Sequence, residues 1–147
     1  MSSITISPAA ASSRSVEWGP FTILAFATAA AASIANVLVY YAGDAIIGFD
    51  SRLVELSSAL GIVIFTVVPA VIAALLYAVL LRKAANPART FTIVSAVVFV
   101  VTLIPDFTIV QTEAGVTNAQ TAILILMHAV AAVIIVRMLT TFSRREA

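Results

Sequence analysis

Apolar positions in this chain neither alternate nor keep to a narrow stripe; they run on through whole segments. Four runs are long enough to cross a hydrocarbon core, which takes about 20 mostly apolar residues in helical form. They cover 20–41, 58–81, 91–110 and 120–142. The first two carry no charge, the third carries only Asp106, and the fourth holds His128 inside and Arg137 near its end. A barrel strand would alternate with a period of two, so continuous runs predict helices. The predicted fold is all-α: an integral membrane four-helix bundle, up-down-up-down.

The polar segments divide the chain. Residues 1–17 are rich in Ser and Ala and have no hydrophobic period, which predicts a flexible tail. They do not resemble the charged start of a cleaved signal peptide, so the first span is expected to be an uncleaved anchor. Trp18-Gly19-Pro20 suits a helix start at the interface. The membrane domain is then 18–142, followed by a short basic tail, 143–147. The connection Ala42–Ser57 holds Asp44, Asp50, Arg52 and Glu55, with the apolar run Ile46-Ile47-Gly48-Phe49 expected on the membrane surface. Arg82–Thr90 is short and basic, with Asn86-Pro87 as its turn signal. Gln111–Ala119 is short, with Gly115 and Asn118 as turn or cap residues.

Composition agrees and narrows the classes. The chain is 62% hydrophobic and 10% charged, against roughly 45–50% and about 25% in soluble domains. A soluble domain of this size would lack the polar side chains to cover its surface, and disorder is excluded for the same reason. Zero cysteines exclude a disulfide framework and thiolate metal sites. A net charge of +1 excludes an electrostatic nucleic-acid binder.

That small net charge hides a dipole. Arg14, Arg82, Lys83, Arg89, Arg137, Arg144 and Arg145 fall on one side of the predicted membrane, and only Arg52 on the other. The basic residues place both termini in the cytoplasm. Five of the seven acids lie on the opposite side, all but Glu17 and Glu146. The basic side would also favour anionic lipid.

Each predicted helix has a small or weakly polar stripe. Helical steps back from Asn36 reach Ser33, Ala32, Ala29, Thr28, Ala25 and Thr22. Steps from Asp106 reach Thr102, Ser95 and Thr92; steps from His128 reach Leu124, Thr121, Gln120, Ala131 and Ala132. Steps from Thr66 reach Ala59, Ala70, Ala73 and Tyr77. Small residues at this spacing let helices approach closely in lipid. Simple bundle packing accounts for most of them without any function.

The most polar residue of each stripe forms the candidate site: Asn36, Thr66, Asp106 and His128. From the predicted span ends, Asn36 lies roughly 7 Å deep, Asp106 roughly 6 Å, and Thr66 and His128 roughly 12 Å, all in the outer half. An ionisable group in lipid costs at least a few kcal/mol, so Asp106 and His128 should face the bundle and meet each other. Asn36 and Thr66 would complete the hydrogen bonds. Pro105 and Pro69 predict helix kinks that free the carbonyls of Val101 and Phe65 near the same cluster. Plainer readings stay open. Asp106 could cap a broken helix at the water boundary, while His128 and Asn36 could serve as interhelical hydrogen-bonding groups. Arg137 is expected to reach for the interface. Axial haem ligation by His128 would need a second chain, and one His with one Asp does not make a metal site. No metal and no cofactor are predicted.

Phe21-Thr22-Ile23-Leu24-Ala25 matches Phe91-Thr92-Ile93-Val94-Ser95, and the same offset sets Asn36 on Asp106. In the even helices Pro69-Ala70-Val71 aligns with His128-Ala129-Val130. The pattern raises a two-hairpin internal duplication.

Leu103-Ile104-Pro105-Asp106 in a third span and Leu126-Met127-His128-Ala129-Val130-Ala131-Ala132 in a fourth resemble an uncharacterised family, a domain of unknown function. Its members are small four-span bacterial membrane proteins of actinobacterial type. The resemblance covers nearly the whole chain after the tail. It implies a multi-pass protein of the bacterial cytoplasmic (inner) membrane, and it brings no activity with it.

Three roles remain open at this stage. The first is binding or transport of a small ligand or ion at the polar cluster, with His128 as the side-chain type that changes charge near neutral pH. The second is an accessory or structural membrane subunit in which the cluster only fixes helix packing. The third is a membrane enzyme using a His–Asp pair as base, which no nucleophile motif or phosphate loop accompanies; enzyme chemistry is the least favoured. Expected partners are the lipid bilayer, a small ligand, and a second copy or another membrane protein, with no nucleic acid.

Overall fold

A computed structural model describes residues 16–49, 58–108 and 116–145. The tail to Ser15, the stretch 50–57 with Asp50, Arg52 and Glu55, the stretch 109–115 with Glu113 and Gly115, and 146–147 lie outside the described residues. Four helices follow in order: α1 Trp18–Ile47, α2 Ala59–Lys83, α3 Pro87–Thr108 and α4 Asn118–Arg145. Each is long and apolar enough to cross a membrane, and there is no strand among the described residues. The fold is an all-α four-helix membrane bundle.

Helix ends follow local chemistry. Ser58 caps α2 by accepting the Gly61 N–H at 3.1 Å. Asn86 accepts the Arg89 N–H at 3.2 Å, and Pro87 occupies the first position of α3, where a missing N–H costs nothing. So α3 starts at Pro87 rather than Phe91, and the connection from α2 shrinks to Ala84–Asn86. The start of α4 is a capping box whose N-terminal member, Thr117, precedes the Asn118 expected as a turn or cap residue. Gln120 Oε1 accepts the Thr117 N–H at 2.9 Å, while Thr117 Oγ1 faces the Gln120 N–H at 3.3 Å.

The largest difference lies at the end of α1. The run Ile46-Ile47 continues the helix beyond the predicted span, and Ile46 is 81% exposed. Nothing in Ala42–Ile47 breaks a helix, and the stop comes at Gly48, whose φ of 64° favours glycine. Asp44 closes this end twice: its carbonyl accepts the Gly48 N–H and its carboxylate accepts the Phe49 N–H, both at 2.9 Å.

Side-chain contacts fix the up-down-up-down order. Phe21 of α1 stacks on Tyr77 of α2 and meets Phe142 of α4 edge-on. Tyr77 also packs on Phe91 of α3, with ring centroids 4.9 Å apart. At the same end Arg82 lies 4.4 Å above the Trp18 ring, a cation–π contact. This basic end therefore gathers the starts of α1 and α3 and the ends of α2 and α4. A second apolar cluster, Ile62, Leu124 and Met127 with Val37, Tyr40 and Phe49, fills the far end.

The four helices are not equal. On α1, Thr28, Ala29, Ala32, Ser33 and Asn36 are buried, and this small stripe brings α1 closely against α2 and α4. On α3 only Pro87, Phe91 and Asp106 are buried. Between Phe91 and Asp106 the helix leans on its neighbours without burying a side chain. The expected stripe of α3 therefore fails at Thr92 and Thr102, both exposed. Each hydroxyl bonds back to a carbonyl of its own helix, Thr92 to Ala88 and Thr102 to Phe99, at 2.8 Å. A hydroxyl satisfied in this way needs no interhelical partner, even in lipid. Pro69 and Pro105 are both exposed, and α2 and α3 remain helical on either side of them.

Gly43 marks the close approach of α1 to α4 at the far end. A Cβ there would lie 2.8 Å from the Phe49 ring and 3.2 Å from Ile123. Gly43→Leu is expected to cost about 2 kcal/mol by overpacking. Gly19→Ala, with nothing within 4 Å of the added carbon, should cost nothing. Thermal unfolding of both variants in mild detergent checks the contrast.

Candidate functional site

The four sequence-selected polar residues form two pairs on two helix interfaces. Between α1 and α2, Asn36 Nδ2 donates to Thr66 Oγ1 at 3.0 Å, and Thr66 donates its own hydroxyl to the Ile62 carbonyl at 2.7 Å. Between α3 and α4, Asp106 Oδ2 lies 3.5 Å from His128 Nδ1. The sequence-based depths differed by a turn, yet the two side chains meet.

The pairs share one level of the bundle. Gly43 meets Ile123, and Phe21 meets Phe142, so antiparallel register sets Asn36 level with roughly residue 129 of α4. Asn36, Thr66 and His128 each fall between the aromatic cluster at the basic end and the Ile62–Leu124–Met127 cluster at the far end. Helix rise puts Asn36 roughly 16 Å before the end of α1 and His128 roughly 15 Å after the start of α4. The layer is well inside the bundle.

Burial separates the residues. Asn36, Thr66 and Asp106 are each 5% exposed. The His128 side chain is 39% exposed. Inward positions on α4 belong to Leu124, Met127 and Ile135; His128 sits on the flank that faces α3. It was expected on the inward stripe, one helical position from its true face.

His128 Nδ1 also lies 2.9 Å from the Leu124 carbonyl. A carbonyl only accepts, so Nδ1 carries the hydrogen, and Nε2 is the acceptor when the ring is neutral. The carboxylate at 3.5 Å is the longer of the two contacts, beyond an ordinary N–H···O distance. His128 is thus oriented by its own helix and only loosely held by Asp106.

Two further polar atoms belong to this layer. Asn36 Oδ1 and Ser33 Oγ are buried without a hydrogen-bond partner among the described residues. Buried acceptors are normally satisfied, so these mark a place for a water or a ligand donor. Ser33 stood in the sequence stripe, but nothing in its spacing set it apart from Ala32. No three His, Cys, Asp or Glu side chains come together among the described residues.

The model of the Family of unknown function (DUF6069) matches residues 17–145, from the start of α1 to the end of α4. The chain belongs to this family. DUF6069 membership covers all four helices and both polar pairs, and with four apolar helices it makes the chain a small multi-pass membrane protein. No curated protein and no solved structure matches it.

Within this DUF6069 bundle the Asn36–Thr66 bond has a measurable weight. Thr66→Val keeps the shape but removes the acceptor for Asn36, and should cost about 1 kcal/mol, the scale of interhelical hydrogen bonds in lipid. Thr66→Ser keeps the hydroxyl and should retain most of it. Unfolding of the three proteins in the same detergent measures the difference.

Proposed function

We propose that this chain is a small-ligand or ion-binding membrane module, with binding linked to proton movement at Asp106 and His128. The observation that carries the reading is a buried carboxylate 3.5 Å from a half-exposed imidazole, inside a bundle with no other ionisable pair at that depth among the described residues. Ionisable side chains at membrane depth are costly, and they commonly mark ion pathways, proton relays or ligand sites. Asn36 Oδ1 and Ser33 Oγ supply further acceptors at the same level. The proposed location is the bacterial cytoplasmic membrane, with both termini cytoplasmic, as the crowding of Arg82, Lys83, Arg89 and Arg137 toward one end favours. The ligand would then enter from the outer side.

One observation favours the structural alternative, an accessory subunit in which the cluster only fixes packing. Asp106 is one of just three buried residues on α3, so its contact with His128 also holds that helix. The two readings part in proteoliposomes. Proton, Na⁺ and K⁺ fluxes are measured under an imposed gradient for wild type, Asp106→Asn and His128→Ala. Flux above empty vesicles in wild type, lost in both variants while they remain monodisperse, is the expected result. Equal flux in all three overturns the binding reading and leaves the structural one.

A further inference from the structure

Beside the polar layer and running toward the basic end, α3 and α4 enclose a groove of about 290 Å³, lined by Ser95, Ala96, Phe99, Ala129, Ala132 and Arg137 among others. It exists because α3 is fastened at Phe91 and at Asp106 but buries nothing between them. Small side chains on both helices leave the space open. Ala96 and Arg137 are exposed, so the groove faces the surrounding lipid.

Arg137 gives this groove a chemistry. It stands inside the fourth apolar span, and its guanidinium has no ion-pair partner among the described residues. The described acids are remote: Asp44 and Asp106 lie toward the far end, and Glu17 precedes α1, across the bundle from α3. A permanent cation at one end of an apolar, lipid-facing groove is complementary to a molecule with an anionic head and an apolar chain. We propose that the groove binds an anionic phospholipid, its acyl chain along Ala96, Phe99, Ala129 and Ala132 and its phosphate on Arg137.

A second copy of the chain fits less well. Two copies inserted the same way and related by a two-fold axis along the membrane normal would face each other through the same groove at equal depth. Their two Arg137 side chains would meet as like charges in a medium of low dielectric. The N-terminal tail outside the described residues carries Arg14 and no acid, so it offers Arg137 no counter-charge.

Native mass spectrometry of the full chain in mild detergent tests the proposal. Phosphatidylglycerol and phosphatidylcholine of matched chains are titrated onto wild type, Arg137→Gln and Ala96→Leu, and oligomeric state is read in the same spectra. Wild type should bind one phosphatidylglycerol about fivefold more tightly than phosphatidylcholine, the value of one basic side chain at a membrane surface. Arg137→Gln should abolish the preference. Ala96→Leu, an apolar exchange on an exposed face, should weaken both lipids. Equal binding of the two lipids by wild type overturns the proposal without recourse to any variant. A preference that survives Arg137→Gln, or lipid binding unchanged in Ala96→Leu, also overturns it. A dimer lost on Ala96→Leu with lipid binding unaffected assigns the groove to a second copy instead.

Discussion

The close seam between α1 and its two neighbours sets the terms for the rest of the bundle. Lipid gives apolar helices no reason to leave it for one another, so packing contact and satisfied polar groups must hold them together. Ala29, Ala32 and Ser33 leave room for α2 and α4 to approach, and Gly43 does the same at the far end. That approach lets Asn36 reach Thr66 and lets Phe21 lie against both Tyr77 and Phe142. It also leaves α3 on the flank, held by fewer buried groups than any of these.

The spans, their order and the four polar residues could be read from the chain because each rests on strong local physics. Long apolar runs are rare outside membranes, and a lone Asp or His inside one stands out. Four features were missed or read only in part, for different reasons. Thr92 and Thr102 look polar in a sequence, but a hydroxyl bonded within its own helix behaves toward lipid as a small apolar group. Phe91, Tyr77 and Phe142 build the cluster at the basic end, yet in an apolar chain their spacing cannot be told from that of Phe26 or Phe107, which face outward. The capping box at Thr117–Gln120 does carry a sequence signature, a Thr followed three residues on by Gln before an apolar run. The Asp106–His128 contact was legible only as chemistry; its distance and the flanking position of His128 depend on where α3 docks.

The two fastenings of α3 differ in kind. At the basic end Phe91 is fully buried against Tyr77, a contact indifferent to charge. At the other, Asp106 meets His128, a contact whose strength depends on which of the two holds a proton. A helix held this way has one steady end and one conditional end. The binding and structural readings of the polar pair are therefore not independent: whatever occupies Asp106 and His128 also acts on the docking of α3, and through it on the groove beside Arg137.

The helix starts at the far end carry a consequence of their own. Free N–H groups at a helix start would draw anions, but here the first turns of α2 and α4 are closed by Ser58, Thr117 and Gln120. Among the described residues, the charged side chains toward that end are Asp44 and, deeper, Asp106. On the binding reading proposed above, these carboxylates beside capped helix starts would favour small cations or neutral hydrogen-bond donors over anions.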